Sequence, residues 1–450
     1  MIDFYDKMKN IVIIVIDSLR CKNLSLYGYE KETDKNLKEI AKNGILFKQH
    51  FSCSNFSFPS LISLFSAKYP NNHGLIHQFP YSKPEEIEKF RKNKFWFPSY
   101  LRKKGYYTVC IGFLGLWLKK GFDYYQEDTF HEKEQSKLRK FLNFPIIRRI
   151  LLSLPGWAYE LGRKITKKRS SIPIPPANQA IDLAISKIRS SNKPFFLFMH
   201  FDNTHFPYPT VPNPKTSGKN EIKDILKNIK SKSQREYVKK RFTDISLKSI
   251  EDIKKKSDFA VKDVDEQIGR FVEFLKKQKL WKDLIFIVLA DHGLSLDEHE
   301  IYFSSSGLYD ETIHVPLIMK LPGIEGKEID ELVQNIDISP TIMDLLKEKN
   351  PKEKNLDGIS MLSMIKKVKN KGEPIRDKIF SFDGLAEDIK AVRTKKRKLI
   401  IAKNNLCYLC KSGHHKEKEE YDLEKDPGEL NNIYSGNSKL EKFLKNKSTV

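Results

Sequence analysis

The chain has 450 residues, 39% hydrophobic and 11% aromatic, enough for a substantial core, which excludes a chain disordered throughout. Lys and Arg number 81 against 58 Asp and Glu, a formal net charge of +23, so anionic partners are favoured: acidic lipid, a sulfated or phosphorylated ester, or nucleic acid. Five cysteines in a chain this long exclude a disulfide framework.

Met1–Asn10 carries charges of both signs, and the apolar run after it is too short for a signal segment or a membrane span. With no later charge-free run of spanning length, the reading is a cytoplasmic protein, at most peripheral at the inner membrane surface. Ile11–Ile16 is β-branched and wholly apolar, the pattern of a strand buried on both faces, and it ends on Asp17. Pro194–Phe201 and Leu284–Ala290 repeat the pattern and end on Asp202 and Asp291. Helical patterns lie between, over Asn36–Asn43 and Asp258–Lys277, the second with Phe259, Val264, Ile268, Phe271 and Leu275 on one stripe. This alternation predicts an α/β fold with a mainly parallel sheet, whose ligands gather beyond the carboxyl ends of the strands.

Two basic stretches interrupt the pattern and read as insertions over the sheet. Residues 130–176 interleave apolar residues with arginines in Phe141–Arg169, and 214–256 are Lys-rich and polar. The first also reads as a surface for an anionic lipid or polymer, against the alternative that its apolar side packs on the main domain. After Lys347 short strands and loops predominate, which predicts a main domain over 1–347 and a smaller C-terminal subdomain over 348–450.

Ser57-Phe-Pro-Ser60 precedes the apolar Leu61–Phe65, placing Ser57 at a helix N-terminus, where the dipole favours negative charge. A hydroxyl there suits a nucleophile, and equally a simple helix cap. Asp291-His292-Gly293 at a strand end can hold a hard or borderline divalent cation, with Asp17 as a further carboxylate. His205, His299 and His314 are candidates for acid/base or anion-binding work. Cys407-Tyr-Leu-Cys410 with His414-His415 offers four zinc-type donors, although adjacent histidines are not the usual spacing.

Taken in order, these segments resemble the sulfatase family of the alkaline-phosphatase-like superfamily. Asp17-Ser-Leu-Arg20 with Leu26-Tyr-Gly-Tyr29 is similar to the first metal-binding motif. Ser57-Phe-Pro-Ser60, closed by Tyr69–Gly74, is similar to the nucleophile signature, and Phe201–Tyr208 to the central histidine motif. Asp265–Gly269 precedes Ala290–Gly293, and Leu308–Glu311, Asp337–Thr341 and Tyr421–Glu429 follow in family order.

The resemblance implies an α/β alkaline-phosphatase-like core, a mainly parallel central sheet flanked by helices, with a smaller C-terminal α+β subdomain. It implies one divalent cation, calcium or manganese, held by Asp17, Asp291 and His292 with Ser57. Ser57 matches the nucleophile that attacks a sulfate or phosphate ester, and His205 and His299 fall where active-site histidines are common. The substrate implied is an anionic ester on a small molecule, glycan or lipid.

Three departures separate this chain from the pattern. Leu61 stands where sulfatases that convert the nucleophile to formylglycine carry Arg, and Asn55 prevents Cys53 from serving instead. The family's Gly-Lys-x-His segment appears as Gly112-Phe-Leu-Gly115, and Ser18 replaces a second Asp. The expected function is therefore sulfate-ester hydrolysis, with a phosphodiesterase or phosphoglycerol-type transferase using unmodified Ser57 as the alternative. A non-catalytic anion- or membrane-binding protein on the same fold is a third reading. No nucleic-acid-binding module is recognisable, so no specific nucleic-acid partner is expected.

Overall fold

The computed structural model describes residues 8–112, 115, 118–126, 175–348, 355–366 and 374–445. The amphipathic reading of Phe141–Arg169 lies outside these residues, as do Phe113 and Leu114 of the glycine segment.

Strands β1 (Ile11–Ile16), β2 (Ile45–Phe47), β3 (His50–Phe51), β4 (Tyr107–Ile111), β5 (Tyr124–Tyr125), β6 (Phe195–Phe201), β7 (Ile285–Ala290), β8 (Leu317–Lys320), β9 (Lys327–Ile329) and β10 (Val333–Gln334) build the main domain. Eight of them form one sheet in the order β5-β4-β6-β1-β7-β8-β2-β9, and β10 pairs with β3. The strands from β5 to β7 run parallel, and β8 is antiparallel to both neighbours.

The sheet is buried on both faces because its central strands have no polar face. Ile11, Ile13 and Val15 of β1 join one core with Phe196 and Phe198, while Val12, Ile14 and Ile16 join the other. Each such side chain contributes about 1.5–3 kcal/mol when fully buried. The first core is closed by the helix Ser57–Ser66 through Leu61, Ile62, Leu64 and Phe65. The second is closed by the helices Lys35–Lys42, Ala177–Arg189 and Ile250–Lys277.

The long helix starts earlier than its hydrophobic pattern implies. Its buried stripe is Val261, Val264, Ile268, Phe271, Val272 and Leu275, and Phe259 lies off it, 41% exposed. Asp265 on this helix caps Lys35–Lys42, accepting from the Asn36 and Leu37 amides at 2.9 and 2.8 Å. Gly269 lets the two helices meet, since a Cβ there would fall 2.3 Å from Asn36 Oδ1. The Lys-rich 214–256 stretch is helical over Ile222–Asn228 and Lys232–Ile245 and runs into the long helix. Val238, Phe242, Ile245 and Ile253 share a small core with Phe206, Tyr208, Leu294 and Phe303, from the loops that follow β6 and β7.

Strands β11 (Ile379–Phe382), β12 (Ile389–Arg393), β13 (Arg397–Ala402) and β14 (Lys418–Asp422) form a separate antiparallel sheet. Its first strand buttresses the segment before Ser57: the Phe382 amide donates to the Cys53 carbonyl at 2.9 Å. No helix among the described residues is long and apolar enough to cross a membrane.

Candidate active site

Parallel pairing brings three strand ends to one level. Ile16 is in register with Phe201 and Ala290, so Asp17, Asp202 and Asp291 leave the sheet side by side. After β1 the chain turns sharply at Ser18, whose φ is 59°. Ser18 donates its hydroxyl to Asp17 Oδ1 at 2.5 Å and its amide to Asp291 Oδ1 at 3.3 Å. A donor thus stands where a second carboxylate was the alternative. Gly293 is required by close packing, because a Cβ would sit 2.1 Å from the Glu311 carbonyl oxygen.

Ser57 opens the helix Ser57–Ser66 after extended Phe56, so the helix begins at the serine itself. Its Oγ lies 3.1 Å from His292 Nε2 and 3.5 Å from Asp17 Oδ2. Ser60, one turn on, donates to the Asp291 carbonyl at 2.6 Å and ties the helix to the β7 end. Buried Asn55 holds the preceding loop, donating to the Gly307 carbonyl and Asp383 Oδ2 and accepting from the Gly384 amide. Cys53 is fully buried and packs with Tyr69, Ile336 and Phe382, away from this group.

The sequence reading missed His200. It is the one ionisable residue of buried β6, on the face shared with Phe196 and Phe198, and that isolation was its signal. Its Nε2 donates to Asp291 Oδ2 at 3.3 Å and lies 3.9 Å from Asp17 Oδ2, while Nδ1 is 2.8 Å from Asp202 Oδ1. Burial opposes its protonation, but the Asp202 and Asp291 charges and hydrogen bonds win and raise it well above the ordinary histidine range. Asp291 answers in kind. Burial would raise its carboxyl, yet the neighbouring His292 ring and the hydrogen bond and charge of His200 hold it below the usual carboxylate range. The Asp17 carboxyl moves up, chiefly through burial and then through the Asp291 charge.

Of the expected site residues, Asp17, Ser57, Asp291 and His292 converge. His205 stands near enough to Asp17 to lower its carboxyl, and its Nδ1 donates to the Phe206 carbonyl at 2.7 Å. His299 does not join them. Its ring stacks on Tyr309 at 3.6 Å, its Nε2 lies 3.5 Å from Glu311 Oε2, and φ is 55° at its Cα. It shares a pocket of buried carboxylates, Glu311 and Glu429, rather than the strand ends. His314 is structural too, its Nε2 donating to the Lys48 carbonyl at 2.9 Å while its ring stacks on Phe51.

The donor set at the strand ends fits a divalent cation. Asp17, Asp291 and His292 offer ligand atoms within 4.8 Å of one another. His292 Nδ1 donates to the Gly293 carbonyl at 2.8 Å, leaving the Nε2 lone pair facing the carboxylates, 3.7 Å from Asp17 Oδ1 and 3.8 Å from Asp291 Oδ2. Two carboxylates, an imidazole and a hydroxyl suit a borderline or hard ion.

The sulfatase family model matches residues 9–348, and a second, described as N-sulphoglucosamine sulphohydrolase, C-terminal, matches 297–448. An arylsulfatase of Clostridium perfringens is 23% identical over an alignment covering 96% of this chain and 92% of that protein. A structure solved with its substrate D-glucosamine-2-N,6-O-disulfate superposes with a TM-score of 0.64 at 20% identity, covering 98% of this chain and 96% of that one. The phosphonate monoester hydrolase of Agrobacterium radiobacter also reaches 0.64, at 16% identity over 97% and 93%. At these identities the two structures carry the fold, and the family follows from the model that spans most of the chain: this protein is a hydrolase of the sulfatase family, in the alkaline-phosphatase-like superfamily.

Proposed function

We propose that the protein cleaves a sulfate ester on an anionic substrate, with Ser57 as the nucleophile and Asp17, Asp291 and His292 holding a divalent cation. The observation that carries this reading is the meeting of the Ser57 hydroxyl, two carboxylates and the His292 lone pair at the carboxyl end of the parallel sheet. Calcium or manganese suits that donor set, and such an ion supplies charge stabilisation to the transferred group and acidifies a nearby hydroxyl.

The chain's own residues do the rest. Asp17 orients the Ser57 hydroxyl and accepts its hydrogen bond, while His292 Nε2, 3.1 Å from the same oxygen, holds the place beside it. The helix behind Ser57 directs its positive end at the incoming oxyanion. Ser57, or its formylglycine hydrate, passes its proton toward Asp17 as its oxygen attacks sulfur. The ester S–O bond breaks while His205 delivers a proton to the leaving alcohol, and release of sulfate from the enzyme, by water or by collapse of the hydrate to the aldehyde, restores the nucleophile. His200 stays behind the carboxylates and bridges two of them, its Nδ1 on Asp202 and its Nε2 on Asp291, which holds Asp291 in place. The C. perfringens arylsulfatase and the structure solved with a glucosamine disulfate support a sulfated sugar or aryl ester as substrate.

One observation favours the phosphoester alternative. Leu61, where converted sulfatases carry Arg, is 1% exposed and built into the core. An unconverted serine would then form a phosphoserine. Mass spectrometry of the Ser57 peptide, before and after incubation with 4-nitrophenyl sulfate and bis(4-nitrophenyl) phosphate, separates the readings. Formylglycine with sulfate release supports the first, and a phosphoserine adduct supports the second. Plain serine with neither ester turned over would sink both.

A further inference from the structure

We propose that Cys407, Cys410 and His414 form a second metal site, a zinc site, which pins the β13–β14 loop against the wall of the active-site mouth.

The three donor atoms lie within 4.8 Å of one another, and Cys410 Sγ is 3.1 Å from His414 Nε2. Donors around a tetrahedral zinc stand roughly 3.3–3.8 Å apart, given Zn–S near 2.3 Å and Zn–N near 2.0 Å. The backbone is already shaped for chelation. The Cys407 amide donates to the Ser412 carbonyl and the Lys411 amide to the Cys407 carbonyl, at 3.0 and 2.9 Å, so the chain turns and presents both thiols inward. Asn405 Oδ1 accepts from the amides of His414 and His415, which sets the two rings on different tasks. His415 is spent elsewhere: Nε2 accepts from the Leu308 amide and Nδ1 donates to Glu419. His414 is the ring left for the thiols, and this resolves the unusual adjacent pair into one ligand and one brace.

Both cysteines are free and buried, at 1% and 3% exposure, while His414 is half-buried. Ser306 Oγ stands 3.3 Å from Cys407 Sγ, an oxygen donor beside the three. An imidazole beside a dithiol also suits a reactive redox pair, and metal retention against disulfide formation separates the two.

The site's position gives it a use. Leu385, Phe56, Tyr81, Tyr237 and Leu409 pack around the two cysteines. Phe56 precedes Ser57, and its ring is 5.4 Å from that of His292. Tyr408, between the thiols, stacks on Tyr81 at 5.0 Å, and its amide donates to the Leu385 carbonyl. Zinc would therefore stiffen the wall nearest the nucleophile without supplying a reacting group.

The test uses the reduced, chelator-treated full chain and its Asp291→Asn variant, so that the strand-end site is separately disabled. Each is exposed to zinc alone, desalted and analysed for metal, then loaded with cobalt alone for its absorption spectrum. The expected result is a single zinc retained in the Asp291→Asn chain, with a thiolate-to-cobalt charge-transfer band. Both are lost in Cys410→Ser and His414→Ala. If a cysteine variant fails to fold, the band in the parent still decides. Zinc content no higher than in Cys410→Ser, an unchanged band in His414→Ala, or a Cys407–Cys410 disulfide that excludes metal from the purified chain would overturn the site.

Discussion

Asp17 with Asp291, and Asp310 with Glu429, are two pairs of buried carboxylates that the protein treats in opposite ways. The second pair is neutralised from within. Lys398, itself fully buried, lies 2.9 Å from Asp310 and 2.7 Å from Glu429, and Arg393 reaches Asp310 at 3.0 Å. Burial would raise Asp310, but Arg393 and Lys398 hold it far below the usual range. Glu429, raised by burial and by Asp310 to about 7 despite Lys398, completes a closed arrangement. Around Asp17 and Asp291, no Lys or Arg among the described residues makes an ion pair, only histidines. Charges that a fold needs for its own stability come with built-in partners, whereas a site for a cation keeps carboxylates short of compensation.

The sharpest way to break this contrast is Ser57→Ala. Without the hydroxyl there is no covalent route, and turnover of the cleaved ester should fall by roughly 10³-fold or more. Stability should change by no more than about 1–2 kcal/mol, because one hydrogen-bonding group is removed. A purified variant that unfolds normally in denaturant yet keeps a tenth of the parent's activity would remove Ser57 from the chemistry.

Asp17→Asn and Asp291→Asn come next. Each removes a negative charge where no lysine or arginine compensates, so strand-end metal content and turnover should drop together. The parent should also lose metal as pH falls. The Asp17 carboxyl is raised by burial and Asp291, so protons compete for it at higher pH than for an ordinary aspartate. Elemental analysis across a pH series checks this. Full occupancy in both variants would place the cation elsewhere.

In the neutralised region the outcome should be reversed. Lys398→Met leaves Asp310 and Glu429 without their shared cation, and breaking a buried pair costs about 3–5 kcal/mol. The folded fraction should keep its turnover. Urea denaturation with activity normalised to folded protein measures both. A loss of turnover without a loss of stability would mean that this cluster belongs to the active site.

Much of the strand-end group was legible in the sequence, and the limits of that reading have physical causes. A strand buried on both faces shows itself in composition, so Ile11–Ile16 was read to the residue, and three Asp-ended strands pointed to one site. Ser57, Asp17, Asp291 and His292 could be placed together because each stands at the end of a regular element. His200 was hidden because a strand apolar on both faces has no alternation to mark which side an odd residue takes. The surroundings of His299 were hidden for a different reason. Its partners, Tyr309 and Glu311, follow it by about one loop, and nothing local says that the ring stacks rather than reacts. Neutralisation is the least local property of all, since Lys398 lies 88 residues from Asp310.

Arg20 and Glu298 offer the finest test, because they obey the rule of the neutralised region while standing beside the other. Arg20 is three residues from Asp17, yet its guanidinium is spent on Glu298 at 2.6 Å, Asn23 and the Leu294 carbonyl. Burial works against the Glu298 charge, but Arg20 and the backbone amides around it pull the carboxyl down to about 2. The folded value lies below the unfolded one, so the stabilisation is fully present above about pH 4.5 and is lost as pH falls toward 2. Its size is about 3 kcal/mol, the linkage free energy between a carboxyl at about 4.5 and one at about 2. Glu298→Gln should therefore be less stable than the parent by that amount at pH 7, with the gap closing between about pH 4.5 and 2. Denaturation of both proteins across that window measures it. A gap that persists unchanged at pH 2 would mean that Glu298 acts through packing, and the ion pair would drop out of the comparison.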